Sequence, residues 1–512
     1  MEHNRRKFLQ FLGYGSLLIG KATLLGPLSG CTKFKIPSLS PTSEDKLILA
    51  PGLNYSIIAK FGDSINEKEV FGFNNDYIDF LALSPNDLIL WINHEYVHPL
   101  WVNGYERTKA NMEKERKLVG GTLMRVKKIN QKWEMQKNDI YNRGVRGDTP
   151  IPFADNVEVL GSKIATGTLA NCAGGKTPWD TILTCEENYY GFYGERSADG
   201  SVTESLLNWQ THFPNPPEHY GWVVEVEPKT GKAKKHTSLG RFAHESATCS
   251  MSKNNKCVVY SGDDKNDEHL YKFISDSSNS LERGTLYVAN LDKGEWMPLT
   301  IENPKLKGKF KNQLDILIHA RKASKLLGAT KLDRPEDIEI NKATGDIFIA
   351  CTNNKPKKNY HGQILKIQES EADHGSLKFT ASTFKTGGHD SGFTCPDNMV
   401  FDNNGNLWFT NDIAGNAANK GPYKGFGNNG LFIVPAGGPQ AGEVIQLASA
   451  PIDAELTGPC FSPDYKTLFL SVQHPGETSK DLKNPTSTWP DGKRPTPAIV
   501  AIEGDLLEKI TG

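Results

Sequence analysis

The sequence predicts an all-β fold, a β-propeller with helical and loop insertions. The chain of 512 residues contains 48 Gly together with 9 Trp, 16 Tyr and 23 Phe. Glycine favours tight turns and aromatic residues favour strands, so this composition is typical of short strands joined by turns. Helical periodicity is scarce, and residues 312–329 are the best candidate for a helical insertion. The third observation is a repeated unit of turn and strand.

The repeated unit is a turn rich in Asn, Asp and Gly followed by an apolar strand. It occurs at residues 341–350, 402–410 and 462–471, each time after a shorter apolar strand and before a polar stop. A weaker copy covers residues 249–264. A strand, a hairpin turn, a second strand and a polar end form the inner half of a propeller blade, and a spacing of about 60 residues suits blades with long loops. A pair of β-sandwiches is the alternative, but spacing kept over about 200 residues favours the propeller.

The N-terminal segment has the features of an export signal. Residues 4–9 read NRRKFL, a twin-arginine pattern, and the uncharged run at 11–20 is shorter than the about 20 apolar residues that span a bilayer. Residues 28–31 read LSGC and resemble a bacterial lipobox, whose cysteine carries the lipid. We therefore predict a twin-arginine lipoprotein signal peptide at 1–30, lipidation of Cys31, a tether at 31–47 and a single propeller domain at 48–512. This organisation predicts a periplasmic or cell-surface lipoprotein anchored to the membrane.

Charge and cysteine content exclude two classes of protein. Lys and Arg total 59 and Asp and Glu total 60, so the net charge is −1 and gives no basic footprint for nucleic acid. The chain has 8 cysteines, of which an odd number remains once Cys31 is lipidated. Without a CxxC pair, a structural zinc ribbon is not expected, and most of these cysteines are interpreted as buried small apolar residues.

Acidic residues recur at the strand ends that a propeller brings to one axis. They are Glu95, Glu186, Glu187, Glu245, Asp263, Asp264, Glu336, Asp337 and Asp397. Converging carboxylates repel one another unless a cation neutralises them. Oxygen-rich sites suit calcium, and a thiolate among the oxygens admits a transition metal. Arg334 is a cation in this acidic set and can hold a phosphate through two hydrogen bonds; an ion pair with Asp333 or Asp337 is the alternative.

Several segments closely resemble, in order, the motifs of the PhoX family of alkaline phosphatases. They are residues 171–188, 240–245, 334–337, 395–398, 473–477 and 487–492. The segment at 171–188, NCAGGKTPWDTILTCEEN, is the most specific, with Asp180 where glycine is expected. Export through the twin-arginine pathway also agrees with the family.

The resemblance implies a six-bladed propeller with iron(III) and calcium at the mouth of its channel. It implies hydrolysis of small-molecule phosphate monoesters, with Arg334 as phosphate clamp and Glu336 as the second catalytic residue. One cysteine of the pair Cys172 and Cys185 is implied as the iron ligand, and spacing does not decide which. The remaining implied metal ligands are Glu95, Glu187, Glu245, Asp263, Glu336 and Asp397. We expect a monomer that binds no nucleic acid.

Two other functions are compatible with a propeller. A calcium-dependent lactonase or a phosphotriesterase-like hydrolase would carry calcium at the channel with few or no thiolate ligands. A non-enzymatic surface propeller would show exposed aromatic residues at the channel mouth in place of acids.

Overall fold

Six antiparallel sheets surround one axis, and their innermost strands contact one another in a closed ring. The computed structural model describes residues 34–197 and 199–512. One compact unit spans Ile36–Gly512. The predicted signal peptide and Cys31 lie outside the described residues. The all-β class and the six-bladed arrangement are confirmed.

Each blade is built from strands that follow one another outward from the axis. Blade 1 contains Asn75–Ser84, Asp87–His94, Gly120–Ile129 and Lys132–Met135, with Arg143–Arg146 paired to the third strand. Blade 2 contains Asn171–Lys176, Ile182–Glu186, Val223–Val226 and Ala233–His236. Blade 3 contains His244–Met251, Cys257–Asp263, Leu270–Ser275, Gly284–Asn290 and Glu295–Pro298.

Blades 4 to 6 complete the ring, and blades 5 and 6 each include a strand from the N-terminal part of the chain. Blade 4 contains Pro335–Ile340, Ile347–Cys351, Gln363–Glu369 and Phe379–Thr386. Blade 5 contains Pro396–Phe401, Leu407–Asn411, Gly430–Val434 and Ile445–Ser449, with Ile48–Leu49 at its outer edge. Blade 6 contains Glu455–Phe461, Leu468–Gln473, Ala498–Glu503 and, outermost, Asn54–Lys60. Antiparallel pairing of Asn54–Lys60 with the last strand, Ala498–Glu503, joins the two ends of the chain within blade 6.

Helices occupy the loops between strands. The α-helices are Pro99–Val102, Lys109–Arg116, Tyr190–Tyr193, Gln313–Ile318, Ala320–Leu327 and Asp505–Thr511. The 3₁₀ helices are Ala154–Asn156, Trp209–Thr211, Pro217–His219, Thr237–Leu239, Lys355–Lys357, Ser370–Ala372 and Gly421–Tyr423, and Pro150–Pro152 pairs with Ile164–Thr166 outside the blades. Among the residues described, no helix combines the length and the apolar character needed to cross a membrane.

The predicted helical insertion lies between blades 3 and 4 as two short helices. The side chain of Asn312 caps the first by accepting from the backbone N–H of Asp315. The second ends at Gly328, which adopts the left-handed φ of 80° that glycine tolerates best. The helices meet at His319, so the segment 312–329 is helical as predicted but not continuous.

The repeated sequence units form the inner hairpins of the blades. The units at 341–350, 402–410 and 462–471 are the turn and second strand of blades 4, 5 and 6, and the weaker copy at 249–264 belongs to blade 3. Apolar side chains of these strands pack between blades, for example Trp408 of blade 5 in one buried cluster with Leu470 of blade 6. Burial of this surface supplies the main driving force for the ring.

The innermost strand of each of blades 1 to 5 begins with a local irregularity. In each of these blades the pairing register shifts within the first five residues of the strand. In four of them the preceding residue has a left-handed backbone, with φ between 50° and 57°; these residues are Asn74, Ala170, Arg334 and Cys395. Such bulges and left-handed residues redirect side chains and are costly without compensation. They set the direction of the side chains at this end of the channel.

Two features predicted outside the blades have defined places. From Ile36 onward the predicted tether lies against the propeller, where the N–H of Ile36 donates to Gln440 (2.7 Å) and that of Leu39 to the carbonyl of Gln446 (2.9 Å). Asp180, which stands where glycine was expected, has a φ of 63°. Asp tolerates this left-handed conformation better than most residues.

Candidate metal centre

Two positions in each blade place side chains at the same end of the channel. The first residue of the innermost strand pairs with the last residue of the second strand, as in Asn75 with His94 and Asn171 with Glu186. We name the second residue of the innermost strand the inner position, and the residue after the second strand the outer position. The inner positions of blades 1 to 5 hold Asp76, Cys172, Glu245, Glu336 and Asp397. The outer positions of blades 1 to 6 hold Glu95, Glu187, Asp264, Thr352, Asp412 and His474.

Blade 6 departs from this pattern because its register shift comes later in the strand. Glu455, the first residue of its innermost strand, pairs with Gln473. His474 donates from Nδ1 to the carbonyl of Asp453 (2.9 Å), which leaves Nε2 3.4 Å from a carboxylate oxygen of Glu455. Blade 6 therefore contributes a carboxylate and an imidazole to the ring.

One thiol lies among the carboxylates. Potential ligand atoms of Glu95, Cys172 and Glu187 all lie within 4.8 Å of one another. The Cys172 thiol also donates to Oδ2 of Asp76 (3.3 Å). Cys185 is fully buried in an apolar cluster, away from this group. The structure thus separates the two cysteines that the sequence left as alternatives.

The carboxylates of the ring are buried and act on one another. Asp76, Glu245, Glu336 and Asp397 are at most 6% exposed. Burial raises the pKa of Asp76 to about 7, although hydrogen bonds and the charge of His474 act in the opposite direction. Burial and then the charge of Asp76 raise the pKa of Glu95 to about 8. Burial and neighbouring carboxylates also raise the pKa values of Glu187, Glu245, Glu336 and Asp397 well above their ordinary range.

The donor atoms of this ring fit metal ions. Oδ1 of Asp76, Oε1 of Glu187 and Oε2 of Glu245 are buried and have no hydrogen-bond partner within the described part of the chain. A buried polar oxygen without a partner costs about 1–3 kcal/mol, and more when it is charged. Bound cations would offset this cost by coordinating the oxygens. Oxygen donors suit calcium, and the added thiol suits a transition metal.

The structure does not bring Asp263 into this ring. Asp263 is the last residue of its strand, the place that His94 and Glu186 occupy in blades 1 and 2. Its carboxylate accepts two hydrogen bonds from Arg321, which belongs to the helical insertion. Neighbouring residues of a strand point to opposite faces, so the next residue, Asp264, faces the ring. The carboxylate of Asp263, which the resemblance implied as a metal ligand, is thus engaged by Arg321, and its neighbour Asp264 lies in the ring.

Arg334 lies between acids of the ring. It donates to both carboxylate oxygens of Asp264, each at 2.8 Å, and its Nη2 is 2.6 Å from Glu336. A third carboxylate, Asp412, is 3.9 Å away. Although burial alone would lower it, the pKa of Arg334 is raised well above its ordinary range by Asp264 and Glu336. The side chain is 26% exposed, so a ligand can reach it.

The alternative partners proposed for Arg334 are engaged elsewhere. Asp333 accepts hydrogen bonds from Asn354 (2.8 Å) and Asn359 (3.0 Å). Asp337 accepts from the side chain of Ser246 and from the backbone N–H of Met399. Neither acid forms an ion pair with Arg334 among the residues described.

Several residues of the ring were not among the predicted ligands. They are Asp76, Asp264, Asp412, Glu455 and His474. Asp264, Asp412 and His474 stood in sequence segments already identified as polar strand ends. The strand register would have identified them, since each directly follows a second strand as Glu95 and Glu187 do.

Comparison with known proteins decides the family. The family model described as alkaline phosphatase PhoX matches residues 34–476. This chain belongs to the PhoX family of alkaline phosphatases. It is therefore a phosphatase, and the non-enzymatic propeller is excluded. No protein of curated function matches the sequence with significance.

One solved structure agrees with this assignment. Pseudomonas fluorescens PhoX, determined in complex with vanadate, a transition state analogue, is 28% identical, has a TM-score of 0.83, and is matched over 92% of this chain and 98% of its own. A Dyadobacter fermentans protein of unknown function is 10% identical, with a TM-score of 0.41, over 89% of this chain and 100% of its own. The second likeness does not bear on function.

Proposed function

We propose that this PhoX family member hydrolyses phosphate monoesters at a multinuclear site of iron(III) and calcium and releases inorganic phosphate. The observation that carries the proposal is Arg334, a partly exposed guanidinium among the buried carboxylates and the thiol of one ring. Acids alone would repel a phosphate dianion. A guanidinium at the edge of a cation-filled ring instead offers two parallel donors to phosphate oxygens.

The donor set divides by chemistry. Cys172 with Glu95 and Glu187 would hold the iron, because a thiol donor selects a transition metal over calcium. The oxygen-only part of the ring would hold calcium; its members are Glu245, Glu336, Asp397, Asp412 and Glu455. When bound, such ions supply Lewis-acid charge to phosphoryl oxygens and lower the pKa of a bound water.

The chain's own residues bind and orient the substrate. Arg334 would hold two phosphate oxygens, and the Asp264 carboxylate fixes the plane of its guanidinium through two hydrogen bonds. Glu336 adds a further contact at 2.6 Å and so joins the clamp to the metal ring. A preorganised donor of this kind stabilises charge in the transition state without reorganisation. Arg334 and Glu336 are thus assigned the roles that the sequence resemblance implied.

The comparison structure adds a chemical probe. Pseudomonas fluorescens PhoX binds vanadate, a transition state analogue. We extend this to the present chain and expect vanadate to inhibit competitively with substrate. Binding would depend on Arg334, because the analogue offers the same oxygens to the guanidinium.

A phosphomonoesterase assay with metal analysis tests the proposal. Protein exported by its own pathway is assayed with p-nitrophenyl phosphate, with bis(p-nitrophenyl) phosphate and with a lactone, while its iron and calcium are quantified. We expect turnover of the monoester, together with both metals. Calcium without iron and preference for the diester or lactone would favour the phosphotriesterase-like or lactonase alternative.

We also propose export by the twin-arginine pathway and anchoring through a lipid on Cys31, with the catalytic domain as a monomer in the periplasm or at the cell surface. Residues 4–9 and 28–31 support this location. A protein whose metals are loaded before export would need a pathway that carries folded chains.

A further inference from the structure

A cationic groove on blade 1 lies outside the metal ring. It has a volume of about 600 Å³ as the described residues shape it. The loop at 61–70, the helix Lys109–Arg116 and the strand Arg143–Arg146 contribute to its walls. Its cationic residues are Lys68, Lys114, Lys117 and Arg146. None of the lining residues occupies an inner or outer position of the ring.

Arg146 is the unusual member of this group. It is 5% exposed, and its Nη2 donates to the carbonyl of Val70 and to Oγ1 of Thr122, both at 3.0 Å. Its Nη1 is buried without a hydrogen-bond partner, and the guanidinium forms no ion pair with a carboxylate, among the residues described. Burial lowers the pKa of Arg146 to about 10, yet the side chain stays charged at neutral pH.

The two acids near this arginine neutralise only part of the positive charge of the groove. Glu69 and Asp148 line it, and their charges oppose the lowering of the Arg146 pKa by burial, but neither forms an ion pair with Arg146 among the residues described; Glu69 accepts from the N–H of Gly144 at 2.7 Å. Lys68, Lys114 and Lys117 are exposed and form no ion pair within the described residues. Four cations against two acids leave an excess of two positive charges. A buried charge without a partner is costly, and an arginine cannot shed its proton to escape that cost.

We propose that this groove is a second binding site for a phosphate group, held by Arg146 and the three lysines and separate from the catalytic ring. A dianion matches the excess charge. Arginine binds phosphate oxygens through a planar set of donors, and the lysines add point charges around it. The site goes beyond the proposed catalytic function, because it needs neither the metals nor Arg334.

Equilibrium dialysis with radiolabelled inorganic phosphate tests the site on the metal-loaded protein. The variants are the triple substitution Lys68→Gln, Lys114→Gln, Lys117→Gln and the single substitution Arg146→Met. The matched control replaces Lys307, Lys309 and Lys311, exposed lysines elsewhere, by Gln. We expect the wild type and the control to bind one more phosphate per chain than either test variant, with kcat unchanged in the triple variant.

A second arm separates free phosphate from a lipid phosphate. Vesicles of phosphatidylglycerol replace inorganic phosphate, and binding is followed by flotation. Weaker binding by the triple variant than by the control, with either probe, supports the site and identifies its source. Equal binding by the wild type, the triple variant and Arg146→Met with both probes would overturn it. The three lysines are exposed, so their replacement should leave the fold intact. The triple variant therefore tests the site even if Arg146→Met, a change at a buried residue, misfolds.

Discussion

The guanidinium of Arg334 donates two parallel hydrogen bonds to the carboxylate of Asp264, from Nε and Nη2, each 2.8 Å long. Arg334 precedes the innermost strand of blade 4, and Asp264 follows the second strand of blade 3. The pair therefore joins two neighbouring blades at the channel mouth. It fixes an arginine whose backbone has a φ of 54°, a conformation that is uncommon for this residue type.

Arg334→Lys should cripple hydrolysis of p-nitrophenyl phosphate while the fold and metals stay largely in place. Lysine keeps the charge but loses the planar donor pair, at a cost of about 2–4 kcal/mol in transition-state stabilisation. We expect kcat/KM to fall about 30- to 1000-fold. Arg321→Lys is the control, because Arg321 pairs in the same way with Asp263 but lies outside the ring. Normal turnover with a much lower Tm would show that Arg334 is structural.

Cys172→Ser and Cys185→Ser should have opposite effects. Cys172 lies with Glu95 and Glu187, so its loss should remove iron. Mutation of residues that only hydrogen-bond to metal ligands lowers metal affinity or activity about 10- to 100-fold, and loss of Cys172 should lower activity at least as much. Cys185 lies in the apolar core, so its replacement should cost about 1–3 kcal/mol of stability and leave the iron content of folded protein intact. Iron analysis, kcat and Tm of both variants are compared. Iron loss from Cys185→Ser alone would contradict the assignment.

The metal-free protein should lose stability as the pH rises from about 5 to about 8. The folded-state pKa values of Asp76 and Glu95 are raised to about 7 and about 8. In this range the folded state binds more protons than the unfolded chain, so the free energy of unfolding falls by up to about 1.4 kcal/mol per pH unit for each group. That stabilisation is complete below the unfolded pKa values and is lost through the folded ones.

Calcium should reduce this loss, because it binds the deprotonated carboxylates. Thermal unfolding of chelator-treated protein across the pH range, with and without added calcium, measures both effects. Stability that rises toward pH 8 in the metal-free protein would contradict the expectation. So would full phosphatase activity after complete removal of the metals.

Cys31→Ser should release the protein from membranes without abolishing activity. The lipobox at residues 28–31 motivates the change. Fractionation of cells and a phosphatase assay on each fraction provide the measurement, with Cys460→Ser as a control substitution in the propeller. An unchanged distribution between membrane and soluble fractions would count against lipidation.

The sequence by itself determined the architecture of this protein. Turn residues followed by apolar strands mark the inner hairpins at 341–350, 402–410 and 462–471, because turn chemistry and strand alternation are local properties of the chain. The recurring acids at strand ends pointed to Glu95, Glu187, Glu245, Glu336 and Asp397, all of which the structure brings to the ring. Their acidity indicates a site for cations independently of the fold.

The tertiary structure decided which of two neighbours faces the channel. Asp263 and Asp264 are adjacent acids, and the sequence does not show that Asp263 pairs with Arg321 while Asp264 faces the ring, because a shift of one residue reverses the side of a strand. The irregular start of the innermost strand of blade 2 likewise places Cys172 near Glu95 and Glu187, whereas Cys185 lies in an apolar cluster. The groove around Arg146 has no sequence signature, because its walls come from three segments that only folding brings together.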